Sequence, residues 1–180
     1  MPIATGSHQL GPAHGALEIR TYREGMASKV GHDLIIEVRE WEATLTVAED
    51  PEQSTLALSA DPRSLHVREG LRGLKPLSDK DRAEIRKNID EKALGGDPIT
   101  FRSRRLGLTE DGTRLTAEGD LSMAGNTRAI SAELEVEPSG RVTGTIPLTQ
   151  SEWGIKPYRG LMGALKVRDA LEIVVDVRPG

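Results

Sequence analysis

Leu115-Thr116-Ala117-Glu118-Gly119-Asp120-Leu121-Ser122-Met123 and Ile130-Ser131-Ala132-Glu133-Leu134-Glu135-Val136-Glu137 decide the fold class of this 180-residue chain. In both runs apolar and polar side chains alternate strictly, which is the period of a β-strand with one dry face and one wet face. Val142, Gly144, Ile146 and Leu148 keep the same rhythm against Thr143 and Thr145. Asp111-Gly112 and Ser139-Gly140 stand between these runs, where tight antiparallel hairpins belong.

The pattern recurs upstream in shorter pieces: Leu17, Ile19 and Thr21; Leu34, Ile36 and Val38; Trp41, Ala43, Leu45 and Val47; Leu56, Leu58 and Ala60. Phase slips at Arg39-Glu40 and at Asp61-Pro62 mark turns or bulges. Downstream, one long run passes from Leu165 through Val167, Leu171, Ile173 and Val175 to Val177. The expectation is a mainly β chain of about eight strands closed into a single antiparallel barrel, because closure removes exposed edges.

One segment breaks the rhythm. Ser78 is a natural N-cap for a helix, Asp79 and Asp81 occupy its first turn, and Ile85, Ile89 and Ala93 form one narrow apolar stripe before Gly95-Gly96. This helix, inserted between the fourth and fifth strands, should lie across the barrel as a cover. Gly25 to Asp33 reads as a short helical turn after the first strand, at one barrel mouth. Residues 1–14, small and rich in Gly and Pro, read as a flexible tail, leaving one domain over 15–180.

Composition narrows the function. Hydrophobic residues at 37% and charged residues at 29% suit a globule with a real core, while aromatics at only 3% leave Leu, Ile, Val and Ala to build it. A net charge of -4, with both signs interleaved along the chain, offers no broad field for nucleic acid or an anionic membrane. No cysteine occurs, so no disulfide framework or thiolate metal site is expected. The start shows neither a basic n-region nor an apolar h-region, and no run reaches membrane-spanning length, so the expected setting is cytoplasmic with no membrane span.

A second stretch carries a resemblance. Asp97-Pro98-Ile99-Thr100-Phe101-Arg102-Ser103, followed by Leu121-Ser122-Met123-Ala124-Gly125-Asn126-Thr127-Arg128-Ala129-Ile130, resembles the central signature of the YceI family. There a Pro-x-Ile-x-Phe-x-Ser strand precedes a hairpin of the form Leu-Thr-x-x-Gly-x-Thr-Lys/Arg-x-Ile/Val. The resemblance covers nearly all of Ala16 to Val177 and implies a lipocalin-like, polyisoprenoid-binding-protein-like barrel around an apolar tunnel. Many relatives carry secretory leaders, and this start departs from that pattern. An Arg-x-x-Phe/Trp-Gly motif of the family is also altered, since Gln150 stands in the arginine's place before Trp153-Gly154.

Catalytic signatures are few. The four histidines, His8, His14, His32 and His66, show no pair spacing that would hold a metal, and no cofactor is implied. No Gly-x-Ser-x-Gly elbow occurs, and Gly70 to Gly73 and Gly160 to Gly163 do not lead from a strand into a helix as a phosphate cradle would. His32, beside Asp33 in a Gly-His pair like the family's, is the one histidine with a candidate role, either as a ligand-head contact or as a hydrogen-bonded structural group. Asp169 falls in the apolar phase of the last strand and needs a partner, such as Arg168 or Arg159, or a polar ligand head.

The inward phases nominate Leu34, Ile36, Trp41, Phe101, Leu121, Met123, Leu134, Ile146, Leu148 and Leu165 as apolar wall, with Val167 beside them and Met162 from the loop before it. Small inward residues, Ala117, Gly119, Ala132 and Gly144, favour a cavity over a filled interior. The loop from Trp153 to Gly163 reads as a gate, with His32, Trp153, Lys156, Tyr158, Arg159 and Asp169 around the ligand head.

Together these readings favour a non-catalytic carrier of one long apolar molecule, such as a polyisoprenoid, quinone, fatty acid or fatty amide. No nucleic-acid partner is expected, and a homodimer is left open. Two alternatives stand beside it: a filled barrel acting as a protein-interaction module through the helix from Ser78 to Leu94, and an enzyme using His32 with Asp33 or Asp169.

Overall fold

A computed structural model describes residues 3–180. Its strands are β1 (Gly6–Leu10), β2 (Gly15–Thr21), β3 (Arg23–Glu24), β4 (Asp33–Val38), β5 (Trp41–Val47), β6 (Thr55–Ala60), β7 (Leu65–Leu71), β8 (Ile99–Leu108), β9 (Arg114–Met123), β10 (Asn126–Val136), β11 (Val142–Thr149), β12 (Arg159–Gly160), β13 (Leu165–Val167) and β14 (Ala170–Val177). One antiparallel sheet runs in the order β1-β5-β6-β8-β9-β10-β11-β14-β2-β4-β7, and β12-β13-β3 form a small second sheet.

The main sheet therefore has eleven strands, which corrects the expected count of about eight. Corners account for the difference. β1 and β2 pair with β5 and β4, which pair in turn with β6 and β7, so three long ribbons are each cut in two by a bend. Two bends carry a proline opening a short 3-10 turn, Pro12–His14 and Pro62–Ser64, where the missing N–H would interrupt a ladder. The third is the Arg39-Glu40 slip, where Arg39 N donates to Ser64 O at 3.1 Å and Asp61 N to Glu40 O at 3.0 Å, carrying the pairing round the corner. The order ends on β1 and β7, which do not pair, so the closed barrel expected is corrected to a half-barrel whose bends roll the sheet around a common interior.

The flexible tail expected over residues 1–14 is also corrected. Gly6 to Leu10 pair in register with Val47 to Ala43, and Leu10 is buried; Met1 and Pro2 lie outside the described residues. The last apolar run is not one strand. It breaks at Arg168-Asp169, sending β13 to the small sheet and β14 to the large one.

Helix α1 (Asp79–Asn88) starts in a capping box, in which Ser78 Oγ accepts from Asp81 N at 3.1 Å and the Asp81 carboxylate accepts from Ser78 N at 2.9 Å. It widens into a π-helical turn over Ile89–Leu94 and stops at Gly95, whose φ of 63° suits a residue without Cβ. The helix follows β7 and precedes β8, not the fourth and fifth strands as expected, because the corners multiply the strands before it. Arg82 binds it to the free edge of β7 by donating to Val67 O at 2.5 Å and Arg68 O at 2.8 Å. The turn expected within Gly25 to Asp33 is a 3-10 turn over Ser28–Val30. No helix among the described residues is long and apolar enough to cross a membrane.

Candidate binding cavity and its rim

The dry faces of the strands do not meet. They enclose a cavity of about 270 Å³, to which every strand of the main sheet contributes a side chain. Of the 35 described residues that line it none is ionisable; Thr21 and Gln150 are polar, and Trp41 adds an indole. Ile89, Ala93 and Leu94, at the end of the helix, close one wall, so the narrow helical stripe faces the interior.

Eight of the eleven nominated wall residues line this space: Ile36, Trp41, Phe101, Leu121, Met123, Leu134, Ile146 and Leu148. Three do not. Leu34 packs against the core without reaching the cavity, and Leu165 belongs to β13 of the small sheet, with its side chain beside Gly31. Met162 is fully exposed, which overturns its place on an inner wall. It sits in a tight turn after β12, where a φ of 58° points the chain away from the sheet phase. Leu17, Ile19, Leu56, Leu58, Leu171, Ile173 and Val175 also line the cavity, and their two-residue phase was the signal for them. Thr21 continues the phase of Leu17 and Ile19, and Gln150 that of Ile146 and Leu148, but neither is apolar and neither was nominated as wall.

The small inward residues divide. Ala117 and Ala132 border the cavity. Gly119 and Gly144 leave no space, because a Cβ on Gly119 would lie 2.2 Å from Arg102 O and one on Gly144 would lie 2.4 Å from Leu134 Cδ2. They allow neighbouring strands to close up. At Gly119 this accompanies the bulge between Ser103 and Arg105, and on the other side of β8 Ser103 Oγ accepts from Leu56 N at 2.8 Å, just beyond the last β6–β8 pair.

The nominated head and gate residues gather at one end, but only as a rim. Trp153 is 1% exposed and donates from Nε1 to Leu121 O at 2.9 Å, making it a fixed plug in place of a gate. Asp169 has Ser151 as its partner, with Ser151 N at 2.8 Å and Ser151 Oγ at 2.5 Å, and not an arginine. His32 donates from Nε2 to Lys75 O at 2.5 Å, and its neighbour Asp33 accepts from Arg23 N at 2.9 Å and faces Arg72 Nε at 3.4 Å. Lys156, Tyr158 and Arg159 are exposed on the loop and outside the cavity lining. Tyr22 donates to Glu172, and that hydrogen bond, with burial, pushes the phenol above its ordinary value.

The polar lining belongs to this same end. Gln150 donates from Nε2 to Arg168 O at 3.0 Å, and Arg168 N donates to Tyr22 O at 2.8 Å, next to Thr21. Trp41 lies beyond Val38, at the opposite end of β4 from the Leu34–Thr21 pair. The cavity wall is thus apolar along its length except for Thr21 and Gln150 near the rim and the Trp41 indole at the far end.

A sequence model of the YceI-like domain matches residues 9–178. The chain belongs to the YceI family. BcnA of Burkholderia cenocepacia superposes with a TM-score of 0.61 at 14% identity, covering 89% of this chain and 94% of its own. The YceI protein of Campylobacter jejuni gives 0.54 at 11% identity, covering 79% and 81% respectively. Identities this low compare folds alone, and no curated protein matches the chain in sequence. Within the YceI signature, Ile99 and Phe101 face the cavity. Asn126 and Arg128 hold the plug turn, donating to Trp153 O at 2.9 Å and to Glu152 O at 3.0 Å.

Proposed function

We propose that this YceI-family barrel is a non-catalytic carrier, holding one long apolar molecule such as a prenol, quinone or fatty amide in its interior. The observation that carries the reading is the cavity: about 270 Å³, reached by every strand of the main sheet, with no ionisable side chain in its wall. Its volume is just under the roughly 300 Å³ at which drug-sized ligand pockets begin, which favours a slender chain over a bulky ring system. Binding would be driven by desolvation, at about 0.8 kcal/mol per methylene, less the cost of ordering the chain.

Thr21 and Gln150 give the direction. A neutral hydroxyl, carbonyl or amide can exchange hydrogen bonds with them, whereas a carboxylate or phosphate would be left without a cation in a dry wall. The candidate acid–base residues His32, Asp33 and Asp169 are engaged elsewhere and do not line the space, which supports a carrier over an enzyme.

A homologous series tests the proposal. Primary fatty amides and prenols of increasing length should gain about fourfold in affinity per added methylene until the cavity is full, then level off. Affinities that do not change with chain length would remove the basis of the reading.

A further inference from the structure

We propose that the rim end of the barrel is a docking face for an anionic lipid bilayer. Three segments build it: residues 22–33, 70–78 and 154–168. They form one continuous surface. The small sheet joins Arg23-Glu24 to Val167-Lys166 and Lys166-Leu165 to Arg159-Gly160, Ala27 N donates to Ala164 O at 2.8 Å, and His32 reaches Lys75 O.

Every exposed large apolar or tyrosine side chain among the described residues lies on this surface. Met26 and Met162 are fully exposed, at 100% and 106%, and Leu74 and Leu161 follow at 72% and 61%. Val30, Leu71 and Tyr158 complete the set. Scattered single hydrophobics on a surface need no explanation, but their confinement to one end does.

Charge separates in the same way. The three segments hold eight Lys and Arg residues against two carboxylates, and with Glu69, Asp79 and Asp169 at their ends counted the surface is still +3 in a chain of net charge -4. One of those carboxylates, Asp33, is buried beneath Arg72. The rest of the molecule is correspondingly acidic.

The backbone keeps the tips in place. Among the described residues four non-glycines have left-handed φ, and three of them are here: Arg72 at 61°, Leu161 at 49° and Met162 at 58°. Such conformations are unfavourable for L-residues and persist chiefly where a site requires them.

Apolar tips ringed by cations match the bilayer interface, where methionine and leucine reach the acyl boundary and lysine and arginine meet headgroup phosphates. A second copy fits poorly, because two such faces would set like charges against each other. Docking would bring Thr21 and Gln150, the polar end of the cavity, toward the membrane. The inference extends the carrier reading and does not depend on it, since vesicle binding and cavity occupancy are read separately.

The test is flotation of the purified full chain with vesicles of phosphatidylcholine containing a minority of phosphatidylglycerol, beside vesicles of phosphatidylcholine alone. We expect binding to the anionic vesicles, weaker binding to the neutral ones, and loss on raising salt. The double variant Leu161→Asp, Met162→Asp should lower the partition coefficient at least tenfold. Lys156→Glu should lower it by about fivefold or more, the effect of roughly one cation at an anionic surface. Arg105→Glu, exposed on the outer wall away from the rim, is the control and should change it far less. Circular dichroism should show all variants folded. Absence of binding to anionic vesicles would overturn the proposal, as would equal losses from Arg105→Glu. Light scattering showing a dimer that only the rim variants dissociate, with no vesicle binding, would assign the face to self-association and overturn it too.

Discussion

Asn126 donates its side-chain amide to the Trp153 carbonyl at 2.9 Å, tying the β9–β10 hairpin to the turn that plugs the barrel end. The same amide reaches Ala124 O at 3.2 Å. Trp153 answers with its indole, bonded to Leu121 O, so hairpin and plug hold each other through both backbone and side chain. Asn126→Ala should therefore destabilise by about 1–2 kcal/mol, read as a lower urea midpoint with an unchanged m-value.

The hairpin is also strained where it turns. Ala124 has a φ of 51° and Gly125 a φ of 74°, the pair of positive values that a type I′ turn demands and that alanine resists. Ala124→Asn should raise stability by about 1 kcal/mol by creating the preferred Asn-Gly pair, a shift visible in thermal unfolding.

Gly119 marks the opposite case, a position with no room for a side chain. A methyl group there would meet the Arg102 carbonyl oxygen at 2.2 Å and the Phe101 ring at 2.8 Å. Gly119→Ala should cost about 1–3 kcal/mol, since the bulged backbone of β8 has to move aside.

Acid should weaken the fold through specific carboxylates. Hydrogen bonds from Thr109 Oγ1 and from Thr113 hold Asp111 down at about 2 against an ordinary value of 3.8. Hydrogen bonding and charge from Arg141 lower Asp176 as well. Because the folded values are depressed, the stability they contribute is present above pH 3.8 and is lost as pH falls toward 2. The urea midpoint of Asp111→Asn should depend less on pH across that window than that of the parent.

The antiparallel architecture was legible because strict alternation in β9, β10 and β11 admits one period only. Corners were harder. Arg39-Glu40 and Asp61-Pro62 appeared as phase slips, but only pairing shows that β4 with β5 and β7 with β6 are bent halves of one ribbon. The tail was misread because Ser7 and Gln9 look like a loop, while Leu10 and the partner strand β5 make Gly6–Leu10 a strand. Within the site, phase identified the wall at Phe101, Leu121 and Leu134. It failed for Asp169, whose partner Ser151 is close in space and not in register, while Met162, nominated from its loop, lies exposed in a turn. Charge interleaved along the sequence hid the basic rim, because folding collects Lys29, Lys75, Lys156 and Lys166 from three distant segments.

Filling the cavity should separate binding from folding. Ala132 borders the space on β10, and Ala132→Leu would extend a branched side chain into it. Affinity for a fatty amide should fall at least tenfold while the variant stays folded, as judged by calorimetry beside circular dichroism.

Native mass spectrometry of protein purified without detergent, paired with mass analysis of its organic extract, tests most directly whether the interior is a ligand site. The account predicts a stoichiometric adduct of lipid-like mass that appears in the extract as a long apolar molecule with a neutral head. A bare mass, unchanged after incubation with prenols, quinones, fatty amides and fatty acids, would contradict it.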